Sequence, residues 1–373
     1  MRPAALRLFG LVGLAANTAG LAAAGGSDST ARDYKALVES YRAGQRRPAI
    51  EAVMGWPPQR LTRATASLDC ADLKACEAAA VLHLDAAARH LDAGYPAEAR
   101  AQIAAGQTLV RSMAPVPGRA PSAIGQHALA WCLAAGHLQQ AYAEHAGAFF
   151  AYSAALLFHP GDATATLGRA SAVEAAVLPD GFGGVRISEP DLLSVLGYGP
   201  GQTVASGLQQ RVGDPASPDH LRALAYLTRE YRAVLAADPS RLEARLRLGR
   251  VLAAGGKREE AFAAFREVLR ASRDRFEGSL AHLCVGRLAA TPEEAVESYR
   301  AAAAADPNLR PAWLGLSEAL WRAGDREGAR SAVEHAMEGG VEDEINAWVE
   351  YHLGQGRAFG VALDALRRRV TSQ

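Results

Sequence analysis

The residues of this chain best able to bind a metal, move protons or form covalent links are its 10 histidines and 4 cysteines. His83 and His90 stand seven positions apart, and His137 and His145 stand eight apart. A metal site on a helix ordinarily draws ligands three or four positions apart, with carboxylates nearby, because those positions share a face. The two pairs are therefore expected to be satisfied histidines of the core or surface, and no metal is expected. His159-Pro160-Gly161-Asp162 falls where one helix must end before Leu167-Gly168 belongs to another, and reads as a boundary. Gly197-Tyr198-Gly199-Pro200-Gly201 has the look of a dinucleotide-binding turn, but it follows no strand and Pro200 removes an amide such a turn would present. There is no HExxH, no GxSxG, no phosphate loop ending in Gly-Lys-Ser/Thr and no paired-cysteine metal site. No catalytic residue and no cofactor is expected, and the chain is not expected to be an enzyme.

The cysteines depend on the compartment. Arg2 and Arg7, the apolar run Leu8 to Ala16 and the small residues Ala22, Ala23 and Ala24 have the layout of a secretory signal peptide. The apolar run is about half the ~20 residues a membrane span needs, so cleavage near Ala24 is expected rather than anchoring, with no stable membrane insertion afterwards. The mature protein is then periplasmic or secreted, where disulfides persist. Cys70 and Cys76 flank a helix start at Asp69 to Asp72, and a local disulfide is open to them if Cys70 lies outside that helix. Cys132 and Cys284 sit in apolar helical stretches and read as free buried thiols.

The elements that position these groups are helices. Alanine is abundant and aromatic residues make up only 6% of the chain, which suits close-packed helices better than sheets. Forty basic residues balance 40 acidic ones, so the footprint of a nucleic-acid binder is missing. Length points to two domains or one elongated repeat array.

Self-comparison decides for the array. Leu242 to Arg275, Phe276 to Leu309 and Arg310 to Asp343 align as three uninterrupted blocks of 34 residues. In them Ala261, Ala295 and Ala329 coincide, as do Phe265, Tyr299 and Val333, and Gly256 and Gly324 around Ala290. A glycine able to take a left-handed cap followed five residues later by alanine recurs upstream at Gly44/Ala49, Gly94/Ala99 and Gly136/Ala141, so the first half is also read as helix pairs.

Leu248-Gly249, Leu252, Gly256, Ala261, Phe265 and Pro307, and again Trp313, Leu316, Leu320, Gly324 and Ala329, resemble the tetratricopeptide repeat family. The resemblance implies an all-α solenoid of helix-turn-helix repeats. The middle block departs from the pattern at Ser279, His282 and Gly286, which predicts a bent or short first helix. In this family the first helix of each pair lines a concave groove. By that analogy the partner-binding positions are Glu243, Arg250, Arg287, Glu318, Trp321 and Arg322, among the apolar positions Leu246, Leu280, Cys284 and Leu314. Trp321 with Arg287 and Arg322 makes an aromatic and cationic anchor, or else Trp321 packs between neighbouring helix pairs.

The map then reads 1–24 signal peptide, 25–178 divergent helical repeats, 179–217 a Gly/Pro-rich loop or linker, 218–343 the regular array and 344–373 two capping helices. Ser188 to Val195 reads as a short helix within the loop, and Ser217-Pro218 starts a long helix to Ala237. The function expected is an exported scaffold that holds a protein or peptide partner. The alternative is an exported ligand-binding protein or enzyme with a site between the halves, marked by convergence of His159, Asp162 or Asp180.

Overall fold

The structure, a computed structural model, describes residues 27–113, 123–178, 217–337 and 349–371. The segment expected to be a signal peptide, most of the Gly/Pro-rich segment with its expected helix at 188–195, and 338–348 lie outside the described residues. Every regular element among the described residues is a helix. In chain order these are α1 Ser27–Arg42, α2 Arg46–Met54, α3 Pro58–Ser67, α4 Leu73–Asp92, α5 Pro96–Met113, α6 Ala123–Ala141, α7 His145–Phe158 and α8 Ala163–Val177. There follow α9 Pro218–Ala237, α10 Leu242–Ala254, α11 Arg258–Ala271, α12 Arg275–Leu288, α13 Pro292–Ala305, α14 Arg310–Arg322, α15 Arg326–Met337 and α16 Val349–Thr371.

Side-chain oxygens start many of these helices by accepting an orphan amide of the first turn. Asp72 takes the amide of Ala75 at 3.0 Å, Asp162 that of Ala165 at 2.7 Å and Asp274 that of Phe276 at 2.8 Å. Ser217 caps α9, which begins and ends where its sequence signals stand. Four turns between consecutive helices share one geometry. Gly44, Gly94, Gly256 and Gly324 have positive φ, and the next amide donates to the carbonyl five residues back: Gln45 to Ser40, Tyr95 to His90, Lys257 to Leu252 and Asp325 to Leu320, all within 2.8–3.0 Å. Between α6 and α7 the same bond runs from Glu144 to Gln139 at 2.8 Å, but the left-handed residue is Ala143, φ 57°.

The expected turn at Gly136/Ala141 is thereby corrected, since Gly136 lies inside α6. It has a packing role: a Cβ there would come 2.6 Å from the Tyr152 ring, and one on Gly168 would come 2.4 Å from the same ring. Tyr299 is held in the same way between Gly286 and Gly315, where added Cβ atoms would stand 2.9 and 2.6 Å away. A glycine on each of two first helices admits the aromatic ring of the second helix lying between them. This also explains the middle block, whose α12 is a full 14 residues rather than short.

Helices α4/α5, α6/α7, α8/α9, α10/α11, α12/α13 and α14/α15 pack as successive antiparallel pairs, and first helices of neighbouring pairs touch, α4 with α6, α6 with α8, α10 with α12 and α12 with α14. The core has two parts. One runs from Tyr34 to Ala165 and the other from Ala146 to Ala332, with Leu133 packed against both. Cys70, just before α4, is joined to Cys76 with Cα atoms 5.2 Å apart, while Cys132 and Cys284 are buried thiols.

The C-terminal segment differs from expectation. Its described part is one helix, and α16 packs on α4 and α6 in the first half of the chain. Phe359, Leu363, Leu366 and Val370 form an unbroken stripe at helical spacing and are buried in the first core. A stripe of that length needs a long apolar face opposite it, and α4 with α6 supplies one.

Candidate functional site

The six expected partner-binding residues separate into two groups. Glu243 and Arg250 are drawn into a buried ionic network where α8, α9 and α10 meet. Arg250 donates to Glu174 at 2.6 Å, Arg247 donates to Glu174 at 3.0 Å and to Glu243 at 2.9 Å, and the Tyr231 hydroxyl donates to Glu174. Two carboxylates meet two guanidiniums, so the formal charge of the cluster is zero, and Glu174 is only 1% exposed. Charges this deep persist because they are mutually paired. The network is complete without a ligand and holds three helices together. The sequence offers no pointer to it beyond a lone Glu174 in an apolar helix.

The second group stays at the surface. Glu318, Trp321 and Arg322 occupy positions i, i+3 and i+4 of α14 and so share one face, with Glu318 and Arg322 paired at 2.6 Å. Trp321 is 55% exposed, which excludes packing between helix pairs. The cation over its ring is Arg326 from the start of α15, at 3.5 Å, rather than Arg287 or Arg322. Arg287 of α12 is exposed and, with Glu318 and Arg322, lies near enough to Tyr299 to act on its phenol, whose pKa burial raises. The apolar groove positions Leu246, Leu280 and Cys284 are buried between helices, and Leu314 is half-buried. A cleft of about 360 Å³ opens between α13 and the end of α14, lined by Val296, Leu320 and Ala323 together with Glu293, Glu297 and Arg300.

Of the two expected histidine pairs, His83, His137 and His145 are built into the helix packing, whereas His90 is buried with neither ring nitrogen hydrogen-bonded, against the expectation. His83 is fully buried, with Nε2 2.7 Å from the Tyr34 hydroxyl and Nδ1 2.6 Å from Gln102 Oε1. Burial lowers its pKa to about 4, against the Gln102 hydrogen bond. His137 meets the Tyr152 hydroxyl at 3.0 Å, and His145 is buried at the start of α7. Asp162 is used as a helix cap and His159 ends α7, while Asp180 lies outside the described residues. Among the described residues no group of three or more His, Cys, Asp or Glu could hold a metal ion, and no helix is long and apolar enough to cross a membrane.

A second paired surface was not legible as such. Arg367 of α16 forks Asp85 and Arg369 pairs with Glu77, both acids lying on α4. The signal was present as two acids, eight positions apart, in a run from Cys76 to Ala87 that is otherwise apolar except for His83.

Residues 242–275, the first of the three regular blocks, match the tetratricopeptide repeat family model. No curated protein matches the chain. Among solved structures, a tetratricopeptide repeat protein from Parabacteroides merdae is 13% identical, with 78% of this chain and 96% of that one covered at a TM-score of 0.45. The pilF protein of Pseudomonas aeruginosa is 18% identical over 65% of this chain and 91% of its own, TM-score 0.38. YrrB, described as a tetratricopeptide repeat protein with an unusual peptide-binding site, is 14% identical over 59% and 88%, TM-score 0.34. With TM-scores below 0.5 these superpositions are loose, and the assignment stands on the matched repeat and the helix-pair geometry. A 34-residue period, left-handed turn glycines and aromatic rings seated on first-helix glycines give the described helix pairs an architecture similar to tetratricopeptide repeats, and residues 242–275 match that family.

Proposed function

We propose that the protein is an exported scaffold that binds a protein or peptide partner on the face formed by the first helices of its C-terminal repeats. Helical repeat scaffolds of this kind are generally non-catalytic and serve protein interaction. The observation that carries the reading is the surface cluster of Arg287, Glu318, Trp321 and Arg322 on α12 and α14, which sets an aromatic ring 55% exposed among charged groups. Tryptophan and arginine are the residues that most often anchor interfaces, because they bury large area at low entropic cost and bond at the rim. Export is supported by the layout of residues 1–24 and by the Cys70–Cys76 disulfide, which an oxidising compartment preserves.

The test is affinity capture from the native envelope fraction with the mature chain and an Arg287→Glu, Trp321→Ala, Arg322→Glu variant whose circular dichroism matches. A partner retained by the parent and lost by the folded variant is expected, on a protein whose mass lacks the first 24 residues. Identical capture by both forms removes the C-terminal face from consideration, and an uncleaved cytoplasmic protein removes export.

A further inference from the structure

Among the described residues each helix from α4 to α15 belongs to a pair, whereas α16 has no partner helix of its own and lies across two first helices, α4 and α6. The surface it covers has a definite chemistry. Every residue of α4 from Cys76 to Ala87 is buried, with α1, α2, α5, α6 and α16 disposed around it. Within that run the carboxylates of Glu77 and Asp85 are 7% and 2% exposed. Carboxylates this deep are costly unless cations meet them. His127 approaches Glu77 at 3.0 Å and the Tyr41 hydroxyl donates to Asp85, but among the described residues the guanidinium partners come from α16, Arg369 on Glu77 and Arg367 on Asp85. At the end of α16, Arg46 of α2 donates to the Thr371 hydroxyl at 3.4 Å.

The opposite side of α16 carries no such demand. Val361 is 72% exposed, and the Arg367 and Arg369 side chains are 27% and 32% exposed, so both ion pairs close from the water side of the groove. The helix is thus held by one stripe of four apolar residues, 359, 363, 366 and 370, and by arginines at 367 and 369 that read two fixed acids. None of the six helix pairs includes it.

We propose that the face of α4 and α6 is a receptor for a basic amphipathic helix, filled in cis by α16 and taken in trans by a partner helix of the same pattern that displaces it. The pattern is apolar at i, i+4, i+7 and i+11, with arginine at i+8 and i+10. This face is separate from the α12 and α14 surface, so either assignment can fail without the other.

The experiment uses the full chain with a single protease site placed between Met337 and Val349. After cleavage, a fluorescent peptide of residues 349–373 is followed by anisotropy. The labelled peptide is expected to enter the cleaved protein, faster as salt is raised, and to be chased by the unlabelled peptide. A peptide carrying Arg367→Glu and Arg369→Glu is expected to chase at least tenfold less well. Entry into uncut protein is expected to be at least tenfold weaker, because the tethered helix competes. Three results overturn the proposal: no exchange at any salt, loss of helical signal beyond α16 on exchange, or equal chasing by the charge-reversed peptide. A doubling of mass with concentration in the uncut protein would give the face to a second copy and overturn displacement by a partner.

Discussion

At the scale of residues, many buried polar groups are matched by partners, although both ring nitrogens of His90 are buried without one, and His83 shows what such matching does to titration. Its ring is enclosed between Tyr34 and Gln102, whose amide in turn donates to the Val53 carbonyl at 3.1 Å. Burial lowers the pKa of His83 from 6.5 to about 4, and His145 is lowered to about 4 by burial and then by Arg247. The folded chain therefore holds fewer protons than the unfolded chain between these values. The stability due to neutral His83 is complete above pH 6.5 and is lost as pH falls towards 4, by about 3 kcal/mol in full. Urea midpoints at pH 7 and pH 5 should fall in that order, and His83→Gln should flatten the difference. An unchanged slope in the variant would show that the acid sensitivity originates elsewhere.

Elements are joined by turns whose backbone demands are stricter than their sequences suggest. Five turns close with the same amide-to-carbonyl bond five residues back, and four of them place glycine at the left-handed position. The fifth has Ala143, whose Cβ makes that conformation cost roughly 1–2 kcal/mol. Ala143→Gly is expected to raise stability by about 1 kcal/mol, and Gly324→Ala to lower it by a similar amount, because neither position meets a crowded neighbour. Thermal or urea unfolding of the two variants checks both signs. Matching losses would mean that the turn between α6 and α7 relaxes on substitution.

The whole molecule is decided by where its last helix goes. Because α16 is buried against the first core, its truncation should be felt far away in sequence and nearby in space. Leu363→Ala removes a side chain 4% exposed, a change that typically costs about 2–5 kcal/mol where the site cannot collapse. Hydrogen exchange should lose protection in α4 and α6 while α10 to α15 keep theirs. Loss spread over the C-terminal repeats instead would mean that the two cores unfold as one unit.

Repeat period and turn chemistry are local properties, and they were readable from residues alone. The spacing of Gly256, Ala261 and Phe265 against Gly324, Ala329 and Val333 marks helix pairs, because each residue meets a demand set within its own 34 residues. Gly136 was misread because a glycine that ends a helix and one that admits a tyrosine ring are the same residue, and only the neighbouring helices distinguish them. The expected binding positions divided for a similar reason. Arg250 was drawn inward by Glu174, more than 60 residues away, and Glu243 by Arg247, which Glu174 also holds, whereas Glu318, Trp321 and Arg322 kept the exposed face their spacing gives them. By itself the sequence determined the helices, their pairing and the family, through short-range capping and periodic burial. The tertiary structure alone decided which charges are used up internally and where the basic stripe of α16 docks, because those pairings join residues 73 to 292 positions apart and leave no periodic trace.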